Sequence, residues 1–162
     1  VIEIYEYINV KKRAEELECN IPTEVTVLPV NFETVKSKTE FKYEFMSMYV
    51  TKVMRNNEIN ETPLEKEGES RNTITQFSLE SNLPTLFFAA KFIAMVGCTI
   101  LLNLISSYIH DKRSKKKTKS EDVMELNIVT ETKSGSYKRI HYKGSDEHLE
   151  EIKKIIRSVY NE

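Results

Sequence analysis

Hydrophobic positions are most regular toward the C-terminal end of the chain. Met124, Leu126, Ile128 and Thr130 recur at every second residue, the period of a strand with one buried face. Lys133-Ser134-Gly135-Ser136 supplies a Gly-containing reversal, and Tyr137 to Lys143 returns with Ile140 and Tyr142 on one face. Gly144 breaks this second strand. Ser145 is a good N-cap with Asp146 and Glu147 in the turn behind it. Leu149, Ile152, Ile156 and Val159 then step by 3, 4 and 3, as an amphipathic helix requires. The pattern predicts a ββα unit over residues 124–162.

The first half is patterned less cleanly. Residues 2–18 read as one helix, with Tyr5, Ile8, Lys12 and Glu15 at turn spacing and Asn20 and Pro22 as its stop. Thr23 to Leu28 alternates and predicts a strand, which Pro29 confines to an end or edge position. Phe41, Tyr43, Phe45 and Tyr49 give Phe41 to Met54 a strand-like alternation. Asn56 to Asn72 is polar and acidic and reads as a long loop, followed by a short strand over Thr73 to Leu79.

The apolar stretch Leu83 to Ile109 poses the main question of environment. As a helix of about 1.5 Å per residue it would cross a hydrocarbon core of about 30 Å, with the following lysines as a cytoplasmic flank. Lys91 and Asn103 interrupt it, and a Lys near the centre of a span costs roughly 2.5–3.5 kcal/mol. Thr99, Asn103, Ser106, Ser107 and His110 gather on one stripe, opposite Ile100, Leu101, Leu104, Ile105 and Tyr108. The favoured division is a buried strand from Thr85-Leu86-Phe87-Phe88 onward, a change from strand to helix near Gly97, and a helix to about His110 whose Ile100-to-Tyr108 stripe faces the core. A membrane contact through residues 86–109 is the alternative.

Composition bounds the function only loosely. The chain of 162 residues carries 24 Lys+Arg against 25 Asp+Glu, so its overall charge favours no polyanionic partner. Glu3 and Glu6 interrupt the apolar start that a secretory signal needs. Cys19 and Cys98 are too few for a disulfide framework and suit a reducing cytosol. The run His110 to Ser120 reads as a basic linker, dividing an α+β region (1–110) from the tail by residues 111–123.

No motif for catalysis, a cofactor or a metal emerges. His110, His141 and His148 lack zinc spacing, though His141 and His148 lie close enough in sequence to approach each other. Cys98 reads as a small core residue, Ser134-Gly135-Ser136 as a hairpin turn rather than a phosphate cradle, and Glu58, Glu61, Glu65, Glu67 and Glu69 as a solvated loop. The one binding candidate is a polyanion surface made of Lys112, Arg113, Lys115, Lys116, Lys117 and Lys119 with Tyr137, Arg139 and Lys143 of the hairpin. Cations would meet phosphates there, and the tyrosine would stack on a base.

The texts ILLNLISSYIHDKRSKKK, MELNIVTETKSGSYKRIHYKG and SDEHLEEIKKIIRSV follow one another as apolar helix, basic break, Gly-turn hairpin and final helix. In that order the region from Ile93 to Tyr160 resembles the effector-associated constant component of bacterial conflict systems. The resemblance implies a non-enzymatic accessory or adaptor protein, without cofactor, whose partner is an effector protein or a second copy of itself. The expected architecture is α+β: an N-terminal helix, a mostly antiparallel sheet, a central apolar helix and the ββα tail. A single-span membrane protein with a cytosolic tail and a nucleic-acid-binding module are the two competing readings.

Overall fold

A computed structural model describes residues 1–71, 83–95, 97–116 and 124–162. Its centre is a five-stranded sheet, and the ββα tail forms the middle of it. Strands β4 (Met124–Glu131) and β5 (Tyr137–Gly144) pair antiparallel, with Ile128 opposite Ile140 and Leu126 opposite Tyr142. Gly135, with a φ of 90°, closes the turn between them in a conformation that glycine adopts without strain. Residues 2–6 form β1 (Ile2–Glu6), antiparallel to β5. On the other side β4 runs parallel to β3 (Thr85–Phe88), which pairs antiparallel with β2 (Val25–Leu28). The order is β1-β5-β4-β3-β2, an α+β sheet that is antiparallel except at β3–β4.

Pro29 follows a strand that does lie at the end of the sheet. The outer side of β2 is covered by a short chain segment: Val25 bridges Glu61, and Thr26 Oγ1 donates to the Thr62 carbonyl at 2.7 Å.

The N-terminal region departs from the single helix expected over residues 2–18. Two elements share that window, β1 and α1 (Val10–Glu16). Val1 to Tyr7 alternates between sheet faces, and helical spacing starts only at Val10, whose buried partners Ala14 and Leu17 follow at 4 and 3 residues. Asn9 caps the helix, its Oδ1 accepting from the Lys12 amide at 2.9 Å.

The strand expected from Phe41 to Met54 is also corrected. Phe41 and Tyr43 are buried on an extended approach, but α2 (Ser47–Asn56) follows, burying Ser47, Val50 and Met54 at helical spacing. The strand expected over Thr73 to Leu79 lies outside the described residues.

Two helices follow β3. A short α3 (Ala90–Ala94) turns into α4 (Gly97–Lys116), and α3, α4 and α5 (Leu149–Tyr160) pack on one another, with α5 against β4 and β5. Leu149, Ile152, Ile156 and Val159 of α5 are buried as their spacing predicts. At the α3–α4 corner a Cβ on Gly97 would lie 2.5 Å from the Phe92 ring, so a larger residue there must displace that ring.

The buried face of α4 is rotated from the expected one. Cys98, Leu101, Leu102 and Ile105 are buried, while Leu104 is half-buried and Ile100 is 51% exposed. The helix also continues through Lys116, into the run read as a linker; residues 117–123 of that run lie outside the described residues. Among the described residues no helix is long and apolar enough to cross a membrane.

Candidate functional site

A dense polar cluster lies in the described part of the long excursion between β2 and β3. Arg71 sits at its centre. Its Nε donates to Glu65 Oε2 at 3.0 Å and its Nη1 to Thr51 Oγ1 of α2 at 3.1 Å, and its Nη2 binds Glu61. The guanidinium carbon stands 5.0 Å from the centroid of the Tyr43 ring, and the Tyr43 hydroxyl donates to the other oxygen of Glu65. The Arg71, Glu61 and Glu65 side chains are only 18, 9 and 11% exposed.

Electrostatics follow from that enclosure. Burial alone would lower the Arg71 pKa, but the Glu61 and Glu65 carboxylates outweigh it and hold the pKa above its ordinary value. Burial, reinforced by the charge of Glu65, raises the Tyr43 phenol, which stays neutral.

An open cleft of about 700 Å³ borders the cluster, lined in part by Arg55, Glu58, Glu61, Glu65 and Lys66. Of the carboxylates that face it, Glu61 and Glu65 are committed to Arg71 and Glu69 to Lys38, and all three guanidinium nitrogens are engaged. The arrangement therefore ties α2, the extended segment at Tyr43 and the cover of β2 to one another. The expectation of a wholly solvated acidic loop is corrected for Glu61 and Glu65. The sequence does carry a signal for this cluster, since Arg71 closes the acidic stretch ETPLEKEGES. Its aromatic partner, Tyr43, is too distant in sequence for spacing to reveal it.

A second carboxylate, Glu131 at the end of β4, gathers groups from three elements. It accepts from Lys11 of α1 at 3.2 Å, from the Ala90 amide of α3 at 2.9 Å and from the Tyr137 hydroxyl at 3.1 Å. This placement overturns the expected role of Tyr137. Its ring is buried and stacked on Phe87, with centroids 6.1 Å apart, and is unavailable to a base.

The other hairpin members of the polyanion candidate stand apart along β5. Arg139 is half-buried and donates to Asn127 at 2.8 Å, whereas Lys143 is exposed four residues along the strand, about 13 Å away at strand rise. Lys112, Arg113, Lys115 and Lys116 belong to the last turns of α4, and Lys117 and Lys119 lie outside the described residues. The buried Tyr137 ring thus supplies no exposed aromatic among the hairpin's cations.

The histidines remain apart. His141 lies between Glu125 at 2.9 Å and Glu3 at 3.8 Å, while His148 faces Glu151 at 3.9 Å. Among the described residues no group of three or more His, Cys, Asp or Glu is arranged to hold a metal ion. Both cysteines are buried and free. Burial raises their thiols, Cys19 to about 11, away from the range of a reactive thiolate.

Comparison with protein-family models, with curated proteins and with solved structures gives no match.

Proposed function

We propose that this chain is a non-catalytic accessory or adaptor component that acts by binding another protein. The observation that carries this reading is the contrast between its polar and apolar side chains. The groups most capable of chemistry, Arg71 with its two glutamates and Glu131 with Lys11 and Tyr137, are spent on one another. Large apolar side chains stand open instead: Met48 on α2 is 69% exposed, Met95 after α3 is 55% exposed, and Ile100 on α4 is half-exposed. The two helices that carry Met48 and Ile100 touch each other. Flexible thioethers and a branched aliphatic chain, exposed in this way, suit an irregular protein surface.

The resemblance of residues 93–160 to effector-associated constant components supports the same reading and points to an effector protein as the partner, in a bacterial conflict or phage-defence setting. Two free, buried cysteines suit a reducing cytosol. The test is affinity capture from the native cell, comparing the wild type with Met48→Asp/Ile100→Asp. The double variant keeps its melting temperature and loses the co-purifying protein by at least about tenfold, the equivalent of about 1.4 kcal/mol. Undiminished capture by a folded variant contradicts the reading.

A further inference from the structure

The sheet ends, at β1, in a strand with no described strand beyond it. The main chains of Val1 and Lys143 exchange hydrogen bonds at 3.0 Å, and the Tyr7 amide donates to the Tyr137 carbonyl at 2.9 Å. Antiparallel strands alternate the direction of their backbone groups, so Val1, Glu3, Tyr5 and Tyr7 face β5. Ile2, Ile4 and Glu6 therefore turn their amides and carbonyls outward. Glu3 to Glu6 are exposed, and no described strand lies beyond them. The edge carries no proline, the common device that blunts such a template.

We propose that β1 pairs antiparallel with β1 of a second copy, about a two-fold axis through Ile4, joining two sheets into one. Side-chain order selects this occupant and this register. With Ile4 opposite Ile4 of the partner subunit, Ile2 faces Glu6 and Glu3 faces Tyr5 on either side of the axis. No carboxylate then meets another, and all five residues of the strand are paired. Centring the axis on Glu3 would oppose two carboxylates directly, which is destabilising. Centring it on Tyr5 would pair only residues 4–6 within the strand. In the favoured register Ile4, which is 49% exposed, covers its own equivalent. Each of Ile2, Ile4 and Glu6 donates and accepts one backbone hydrogen bond.

This contact is smaller than the roughly 1,200 Å² of a stable interface, so the dimer forms reversibly with concentration. It is separate from the apolar surface of α2 and α4, and the two proposals fail independently.

Sedimentation velocity on the full chain over a range of concentrations provides the test. The wild type shifts from monomer toward dimer as concentration rises. Ile4→Pro stays monomeric with its melting temperature nearly unchanged, because the amide it removes points away from β5. Ile4→Lys and Ile4→Glu are each monomeric alone and associate when mixed, a result that loss of folding cannot produce. Mild oxidation cross-links Ile4→Cys, since Cα atoms in such a hydrogen-bonded pair lie about 5.5 Å apart, within disulfide range, and leaves Glu6→Cys uncross-linked. Cys19 and Cys98 are buried and give little background. A wild type that is monomeric throughout overturns the proposal. So does association that survives Ile4→Pro, or that is lost in Met48→Asp instead.

Discussion

Glu131 shows how single side chains hold this molecule together. One carboxylate takes a hydrogen bond from α1, one from the start of α3 and one from its own hairpin. Glu131→Ala strands the Ala90 amide and the Tyr137 hydroxyl together, and urea unfolding should show a loss of about 3 kcal/mol. Glu131→Gln keeps an acceptor oxygen and should lose less than half of that. Cys19 makes a pH-dependent prediction. Its folded thiol titrates near 11, above its ordinary value of 9.0, because burial disfavours the thiolate. The unfolded chain therefore releases this proton first. The stabilisation is fully present below pH 9 and is lost as pH rises toward 11. Cys19→Ala should flatten the fall of the melting temperature across that window, measured by circular dichroism; an unchanged slope would mean that other groups cause it. None of these roles follows from the residue type alone. Each depends on partners brought together from distant parts of the chain.

At the scale of elements, legibility tracks how many independent signals agree. In the tail, alternation, a glycine turn and helical spacing all coincide, and β4, β5 and α5 are found where those signals place them. Ser145, expected to cap α5, instead accepts from the Glu147 amide at 3.2 Å at a 3-10 turn, Asp146–His148, that precedes the helix. β2, between Pro22 and Pro29, is likewise legible, and so is the start of β3 after Pro84. The strand expected to run on toward Gly97, however, ends at Phe88 and gives way to α3. At the N-terminus one window mixed two periods, so β1 was hidden inside the helical pattern that belongs to α1. The aromatics of residues 41–45 suggested a strand for a segment whose buried set from Ser47 onward is helical. In α4 the polar stripe misled the phase. Asn103 is exposed and yet employed, its Oδ1 accepting from the buried Lys153 ammonium at 2.6 Å, and the buried set is shifted toward Cys98 and Leu102. Two substitutions separate the expected face from the observed one. Leu102→Asp should abolish cooperative unfolding, because it places a carboxylate in the core. Ile100→Asp should change the melting temperature by little. Gly97→Ala should cost about 1–3 kcal/mol through its clash with Phe92, and trimming that ring in a Phe92→Leu background should reduce the effect.

Across the whole molecule, the sheet joins segments remote in sequence: residues 2–6 lie against the hairpin on one side and residues 85–88 on the other. Within the described part of the excursion between β2 and β3, Arg71 is a brace. It gathers Thr51, Tyr43, Glu61 and Glu65 around one charge, while Met48 of α2 and Ile100 of α4 stand exposed. A site kept for binding or chemistry often weakens its fold, whereas a brace strengthens it. Guanidinium chloride unfolding of Arg71→Met, alone and combined with Glu61→Gln/Glu65→Gln, separates the two most directly. If Arg71 is a brace, the single substitution lowers stability by about 3–5 kcal/mol, because two enclosed carboxylates lose their counter-charge. Neutralising both carboxylates then restores part of that loss. An Arg71→Met protein as stable as the wild type, or more stable, would contradict the account and make the cluster a site held at the expense of the fold.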